Sequence, residues 1–305
     1  MSRVVLRLIV PIVLVFLMGC GAQPTNEVVV YTSQDQVYSS EILTDFESET
    51  GIKVKAVYDS ELVKTVGLAN RLIAEKDRPR CDVFWSNEPL RAHQLKEEGV
   101  FEASAIATFG YRLRQFVFNT EQLSASDLPK SLEDLTQPEW KGKVVMAYPL
   151  FGTTSTHLLA LREEWGDEKW EQWIDGLLAN ETKVVDGNSI VVRMVGSGEA
   201  VLGLTDSDDI HAGLANGLPI ASADYSETLL IPNATAIVKG GPNPTQAEKL
   251  VAYLSGESVM DRLIAVHALE GSTSPYGIGL EADWSRLVGR LDEGAEMLKG
   301  KFLRD

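Results

Sequence analysis

Cysteine is scarce in this chain, which has only Cys20 and Cys81 among its 305 residues. Two cysteines cannot form a disulfide framework, so a fold of this size must depend on its hydrophobic core. Hydrophobic residues make up 44% of the sequence, which is sufficient for such a core. Cys81 lies just before the apolar run 83–85, so we interpret it as a buried structural thiol.

The chain also lacks an apolar run long enough to cross a membrane, which needs about 20 residues in a helix. Its first apolar stretch covers only residues 8–18 and contains Pro11. Arg3 and Arg7 precede this stretch, and the combination is typical of a secretory signal segment.

Residues 17–20, Leu-Met-Gly-Cys, resemble a lipobox, the site at which a bacterial signal peptide is removed before a lipid-bearing cysteine. The resemblance predicts a signal peptide at 1–19 and lipidation of Cys20. Residues 20–26 are polar and unpatterned, and we interpret them as a flexible tether. The alternative is an ordinary signal peptide that contains a cysteine by chance.

Positive charge is scarce as well, with 28 Lys and Arg against 44 Asp and Glu. Removal of residues 1–19 would take away Arg3 and Arg7 and change the net charge from −16 to −18. Such an acidic chain is unsuited to nucleic acid or to an anionic membrane surface.

From Glu27 onward, short β-branched runs alternate with amphipathic helical stretches. This alternation predicts an α/β fold of parallel sheets with helices on their faces. We expect two lobes, each with its own sheet. The predicted limits are 27–116 with 237–305 for lobe I, and 117–236 for lobe II.

Polar residues cluster in the predicted strand-to-helix turns, which in an open parallel sheet lie where ligands bind. Helix N-caps require the same residue types, so any single turn could be explained by capping alone. Several such turns on two lobes favour a shared cleft. The candidate ligand-binding residues are Ser33, Gln34, Asp35, Ser86, Asn87, Thr153, Thr154, Ser155, Asn188, Ser189 and Asp206.

Two of these turns carry distinct chemistry. The segment 152–156, Gly-Thr-Thr-Ser-Thr, groups hydroxyls at a helix start and suits an anion. Asp206, Asp208 and Asp209 place three carboxylates within four residues and suit a cation, either a metal ion or an ammonium group. Solvated acidic helix starts are also common, so this pattern alone does not distinguish a cation site from an ordinary helix start.

The segments VVVYTSQDQVYSSEIL, YPLFGTTSTH, GEAVLGLTDSDD and LIPNATAIVKGGPNPTQAEKL resemble the ferric-iron-type solute-binding proteins of ABC transporters. The resemblance extends over essentially the whole mature chain. It implies the type II periplasmic-binding-protein fold, in which two lobes joined by crossover strands close over a solute by a hinge. It also implies a monomer outside the cytoplasm that hands its solute to a membrane permease.

The same resemblance implies a metal site, although this sequence departs from the family's usual ligand residues. Tyr148 lies where some members carry a tyrosine ligand, and Glu88 or Asn87 lies where some carry a glutamate. Asp208 and Asp209 occupy the place of the usual tyrosine pair. We therefore expect ferric iron with a bound anion as cargo, with Tyr148, Glu88, Asp208 and Asp209 as metal ligands. A phosphorylated or phosphonate molecule and a polyamine-like cation are the alternatives.

Catalytic motifs are missing. The four histidines have no metal-ligand spacing, and the sequence contains neither a G-x-S-x-G elbow nor a phosphate-binding P-loop. We expect a binding protein without an enzymatic cofactor.

Overall fold

The computed structural model describes residues 26–59, 65–102, 106–272 and 279–303. The predicted signal segment, Cys20 and residues 20–25 of the predicted tether lie outside these residues. Within the described ranges, no helix is both long and apolar enough to cross a membrane.

Strands and helices alternate along most of the chain, as the sequence predicts. The strands are β1 Glu27–Thr32, β2 Lys53–Tyr58, β3 Val83–Ser86, β4 Ala107–Asn119, β5 Val144–Ala147, β6 Lys183–Val185, β7 Leu202–Asp206, β8 Ile220–Ala223 and β9 Leu230–Ile237. The helices are α1 Gln36–Thr50, α2 Val66–Ala74, α3 Leu90–Glu97, α4 Gly152–Trp165, α5 Asp167–Ala179, α6 Asn188–Ser197, α7 Ser207–Ala215, α8 Pro244–Leu254, α9 Glu257–Ala265, α10 Trp284–Gly289 and α11 Leu291–Phe302.

The strands of the described residues form one nine-stranded sheet in the order β2-β1-β3-β9-β4-β7-β5-β6, with β8 also paired to β4. The two sheets that the sequence predicts are therefore present, and they are joined through β4. Strand β4 has 13 residues and spans roughly 40 Å, so it pairs with β9 near its start and with β7 and β8 near its end. A bulge between Phe109 and Arg112 interrupts its pairing with β9.

We call β1–β3 with their helices the first half and β5–β8 with theirs the second half. Strand β9 runs between them, because Ile231 packs in a second-half core cluster while Ala234 and Ala236 pack in a first-half cluster. Two long strands, β4 and β9, thus connect the halves.

Each half buries apolar side chains on both faces of the sheet. In the first half, one cluster includes Phe46 of α1 and Leu250 of α8, and the other includes Leu72 of α2 and Leu95 of α3. Full burial of each such side chain stabilises the fold by about 1.5–3 kcal/mol.

In the second half, Trp170 of α5 lies in one cluster and Val191 of α6 in the other. Leu287 and Leu298 near the carboxyl terminus pack in the cluster that contains Trp170. The limits of lobes I and II stay a prediction.

Within each half, the turns that begin helices lie at one edge of the sheet. Strands β1 and β3 are parallel, as are β5 and β7, so their carboxyl ends lie on the same side. Helix α1 follows β1 after Asp35, and α7 follows β7 directly after Asp206. The polar turns found in the sequence therefore gather where the two halves meet.

Candidate functional site

A small cavity of about 40 Å³ lies between the halves. A single water needs roughly 10–15 Å³ of such space, so the cavity has room for an ion with a small ligand and not for a drug-sized molecule. Its polar lining comes from both halves and from strand β4. The side chains involved are Asp35, Asn87, Arg112, Tyr148, Thr153, Thr154, Asp186, Asn188, Asp206 and Asp209.

Three aspartates at the start of α7 form an acidic group beside this cavity. One carboxylate oxygen from each of Asp206, Asp208 and Asp209 lies within 4.8 Å of the others. Asp206 and Asp208 are each 2% exposed, whereas Asp209 is half-buried. The positive end of the α7 dipole favours carboxylates in this position.

Two arginines of β4 balance part of this charge, and the sequence analysis missed them. Arg112 and Arg114 alternate along a strand whose letters, YRLRQF, give no sign that both side chains are buried. The Nη1 of Arg112 donates to Asp208 at 2.9 Å, and its Nη2 donates to the carbonyl of Asn87. Arg112 thus joins the first half to the second.

Burial opposes the charge of Arg112, but Asp208 and Asp206 outweigh burial and raise the pKa of its guanidinium. Arg112 is therefore a permanent cation in the cavity wall. An anionic group that enters the cavity meets this charge directly.

The carboxylate of Asp206 already accepts hydrogen bonds from three side chains of the protein. It accepts hydrogen bonds from Arg114 at 2.9 Å, Thr153 at 2.6 Å and Asn188 at 3.1 Å. Burial raises the pKa of Asp206, but the charges of Arg114 and Arg112 lower it further, so its net pKa falls below the usual range. Asp206 therefore holds the turns of β5, β6 and β7 together as an ionised carboxylate.

Asp208 retains an unused oxygen. Its Oδ2 accepts from Arg112, while its buried Oδ1 has no hydrogen-bond partner among the described residues. Burial raises the pKa of Asp208 despite the opposing charge of Arg112.

Tyr38 of α1 faces the same charges from the first half. Burial and then the nearby charges of Asp208, Asp209 and Asp35 raise its pKa to about 12. Tyr38 was missed by the sequence analysis because it lies one turn into a helix and not in a polar turn.

Tyr148 offers a phenol oxygen to the cavity. It directly follows β5, its amide donates to the carbonyl of Val185 at 2.8 Å, and its ring lies 6.0 Å from that of Phe151. Its hydroxyl is buried and has no partner within the described part of the chain. A buried polar atom of this kind is expected to find a partner from outside the described chain, either a water molecule or a ligand.

The hydroxyl-rich segment forms the first turn of α4 rather than a turn before it. Gly152 begins the helix with φ +57, and Thr153 and Thr154 line the cavity. Ser155 is buried away from the cavity, and its amide donates to the carbonyl of Phe151.

In the first half, Asp35 and Asn87 reach the cavity, whereas the serines fasten the turns to each other. The Ser33 hydroxyl donates to Oδ1 of Asn87 at 3.1 Å and lies 3.3 Å from the Ser86 hydroxyl. The Ser86 hydroxyl also donates to the carbonyl of Glu88 at 2.6 Å.

The carboxylate of Glu88 is used to cap α3. It accepts from the amides of Leu90 at 2.7 Å and Arg91 at 3.2 Å, and from the hydroxyl of Thr156 at 3.3 Å. Burial raises its pKa, although Arg91 and these donors act in the opposite direction. The structure gives Glu88 this capping position rather than one in the cavity wall.

The structure brings most of the predicted site residues together. Those that line the cavity are Asp35, Asn87, Tyr148, Thr153, Thr154, Asn188, Asp206 and Asp209. Asp208 lies behind them in the acidic group. Those outside the lining are Ser33, Gln34, Ser86, Glu88, Ser155 and Ser189.

Solved structures share this architecture. Iron-bound HitA from Pseudomonas aeruginosa aligns with a TM-score of 0.77 and 19% identity over 90% of this chain and 99% of that one. AfuA from Actinobacillus pleuropneumoniae, with exogenous fructose-6-phosphate bound, aligns with a TM-score of 0.79 and 18% identity over 92% and 99%. These similarities confirm the predicted periplasmic-binding-protein fold.

Sequence similarity gives the family. The Fe(3+)-binding periplasmic protein of Serratia marcescens is 30% identical over 300 residues, covering 87% of this chain and 84% of that protein. The resemblance noted from the sequence, and the expectation of a binding protein rather than an enzyme, are confirmed. The family model for bacterial extracellular solute-binding proteins matches residues 27–263, and the chain belongs to that family.

Proposed function

We propose that this protein captures ferric iron together with a bound anion in the cleft and delivers it to the permease of an ABC importer. The observation that carries the proposal is the unpartnered, buried hydroxyl of Tyr148 in the wall of an ion-sized cavity. The free Oδ1 of Asp208 and the carboxylate of Asp209 add further oxygen atoms nearby. Hard cations prefer such oxygen ligands.

The same cavity also has features that suit an accompanying anion. Thr153 and Thr154 lie in the first turn of α4, where free backbone N–H groups and the helix dipole favour negative charge. Arg112 supplies a full positive charge in the same wall. A small anion bound there would complete the coordination of the metal ion.

The similarity to the Serratia marcescens Fe(3+)-binding protein and to iron-bound HitA supports this choice of cargo. In this chain, however, Asp208 and Asp209 stand where the resemblance implies a tyrosine pair. Tyr148 would therefore supply the phenolate, and Asp209 would supply a carboxylate.

The sharpest test is Tyr148→Phe, because it removes one oxygen without breaking a hydrogen bond of the described chain. Ferric nitrilotriacetate would be titrated into the metal-free protein and followed by calorimetry and visible absorption. We expect about tenfold weaker binding, equivalent to about 1.4 kcal/mol, and loss of the phenolate-to-iron absorption band. The effect of Asp209→Asn should be of similar size.

Asp261→Asn, an exposed change on α9, is the matched control and should bind iron like the wild type. Wild-type protein that binds no iron, or a Tyr148→Phe variant with unchanged affinity and absorption, would refute the proposal.

A phosphorylated or phosphonate molecule is the second candidate, favoured by the threonines at the start of α4. A phosphate group there would accept from backbone amides and hydroxyls. Thr154→Asp places a negative charge in the cavity wall and should abolish binding of such a ligand. Unaltered binding by this variant would exclude the candidate.

We also propose that the mature protein is a monomer attached to the outer face of the cell membrane by a lipid on Cys20. The lipobox-like residues 17–20 and the preceding charged and apolar segment support this attachment. Residues 20–26 would then act as the tether that lets the two halves reach the permease.

A further inference from the structure

Two histidines stack their rings face to face beside the connecting strand β4. His211 lies in α7, and His267 lies two residues after the end of α9. The ring centroids are 4.2 Å apart, and the ring planes are inclined by 14°. Nε2 of His211 also lies 3.2 Å from Oε1 of Glu270, which is within hydrogen-bond distance. None of these three side chains lines the cavity between the halves.

The two stacked rings belong to different halves of the molecule. Ile210, the neighbour of His211, packs in a second-half core cluster. Leu269, two residues after His267, packs in a first-half core cluster. The stack is therefore a side-chain contact across the boundary between the halves, in addition to the two connecting strands.

The first-half side of this contact is fixed to β4. The amide of Glu270 donates to the carbonyl of Tyr111 at 2.8 Å, and the amide of Tyr111 donates to the carbonyl of Gly271 at 3.1 Å. Tyr111 lies in the bulge of β4 between Phe109 and Arg112. A rotation of the second half about the connecting strands displaces α7 from this fixed segment and separates the two rings.

The backbone at His267 has a conformation that favours glycine. Its φ is +58, in the left-handed region. The amide of His267 donates to the carbonyl of Ile264 at 2.9 Å, and that of Ala268 donates to the carbonyl of Leu263 at 2.8 Å. This pair of hydrogen bonds ends a helix at a left-handed residue, which is usually glycine because any Cβ there is strained. The ring stack with His211 is an interaction that glycine could not make.

A contact that exists in only one arrangement of the halves shifts their equilibrium toward that arrangement. The present arrangement is the closed one, because the halves enclose an ion-sized cavity and Arg112 bonds to Asn87 on one side and to Asp208 on the other. A stacked aromatic pair changes an equilibrium constant by roughly two- to tenfold. Loss of the stack should therefore raise the open fraction by such a factor.

We propose that His211, His267 and Glu270 form a latch that stabilises the closed arrangement of the two halves. The histidines are positioning residues, since they act on closure and lie outside the cavity wall. The effect of the latch on cargo release rests on the proposed function, because it requires cargo held between the halves. Its effect on closure does not.

Three substitutions at His267 separate the role of the ring from that of the backbone. His267→Gly removes the ring and relieves the strain, His267→Ala removes the ring and keeps the strain, and His267→Phe keeps a ring for stacking. Val266→Ala shortens an exposed side chain at the preceding residue and is the matched control.

The first measurement is the rate at which loaded protein releases iron. Each protein would be loaded with ferric nitrilotriacetate, and transfer of iron to excess EDTA would be followed by absorbance. Cargo leaves from the open arrangement, so we expect release roughly two- to tenfold faster from His267→Gly and His267→Ala than from the wild type. His267→Phe and Val266→Ala should release iron at about the wild-type rate.

Urea denaturation of the same proteins separates closure from stability. His267→Ala should unfold at a lower urea concentration than His267→Gly, because only alanine keeps the strain. The latch predicts equal release rates from these two variants despite their different stabilities. Release rates that follow the order of stability, or wild-type rates from both variants, would overturn the latch and leave the ferric cargo standing.

The second measurement needs no cargo. Amide hydrogen exchange of residues 152–156, at the cavity, would be followed by mass spectrometry in the metal-free proteins, with residues 167–179 of α5 as an internal reference. We expect faster exchange at 152–156 in the glycine and alanine variants and equal exchange in α5. This result with a wild type that binds no iron would overturn the ferric cargo and support the latch. Unchanged exchange with such a wild type would overturn both.

Discussion

The ion pair between Arg114 and Asp206 gives a quantitative test of how the site is held together. The two side chains meet at 2.9 Å, and they are 0% and 2% exposed. Asp206→Ala leaves Arg114 as a buried charge without its counter-ion, which costs about 3–5 kcal/mol. Arg114→Met leaves Asp206 with Arg112 as a counter-ion, because Nη1 of Arg112 lies 3.7 Å from Oδ2 of Asp206. The free-energy cost of this substitution should therefore lie near the lower end of the same range.

The double variant Arg114→Met/Asp206→Ala removes both charges at once. Its cost should therefore be well below the sum of the two single costs, with a coupling energy of about 2–3 kcal/mol. The remaining destabilisation of the double variant comes mainly from Thr153 and Asn188, which lose the acceptor that Asp206 provided, at about 1 kcal/mol each.

The assay is urea denaturation of the cargo-free proteins at pH 7, followed by tryptophan fluorescence and by circular dichroism. Coincident transitions by the two probes would justify a two-state free energy for a chain with two halves. Single-variant costs that add to within about 0.5 kcal/mol in the double variant would refute the reasoning.

Three further predictions concern acid stability, the β4 bulge and the lipid. Burial, and then the charge of Arg114, lowers the pKa of His157 to about 3 from 6.5, so acidification protonates this histidine only in the unfolded chain. His157 alone should lower the free energy of unfolding by up to about 1.4 kcal/mol for each pH unit below 6.5, so urea titrations of His157→Phe should show a shallower fall between pH 6.5 and 5. An equal slope in the two proteins would contradict this. Gly110→Ala should lower the free energy of unfolding by more than about 1 kcal/mol in the same assay, because Gly110 has φ +57 and a Cβ there would clash with Leu269 Cδ1. Unchanged stability would count against this prediction. Cys20→Ser should move the protein from the membrane to the soluble fraction, and its retention on the membrane would exclude the lipid.

The fold was largely predictable because its signals are local. Runs such as residues 28–31 and 144–147 became strands, and the glycine after α1 ends that helix in the left-handed conformation at Gly51. The continuity of the sheet was not predictable, because it depends on the length of β4. Only residues 116–118, near the end of β4, form an uninterrupted apolar run, and the earlier part of the strand contains Gly110 and two arginines.

The candidate site was predictable where it consists of turns. Helix-start residues such as Asp35, Thr153 and Asp209 follow strands in the sequence, and parallel strands bring their carboxyl ends together. Glu88 and the serines were also chosen from turns, but which turn residue faces the cavity depends on hydrogen bonds between turns. Those hydrogen bonds cannot be predicted from the order of residues in the sequence.

Arg112 shows that the departure at Asp208 and Asp209 cannot be understood from those two positions alone. The resemblance implies two tyrosines where Asp208 and Asp209 stand. In this chain Asp208 adds a buried negative charge, and Arg112 on a distant strand pairs with it at 2.9 Å. Replacement of both aspartates by tyrosine without a change at Arg112 would leave a buried guanidinium with fewer counter-ions, at a cost of several kcal/mol. The aspartate pair and the arginine therefore form one electrostatic unit, in which Asp208 balances the protein's own cation and Asp209 faces the cavity. We therefore expect substitutions at Arg112 of β4 to change cargo binding as much as substitutions at the start of α7.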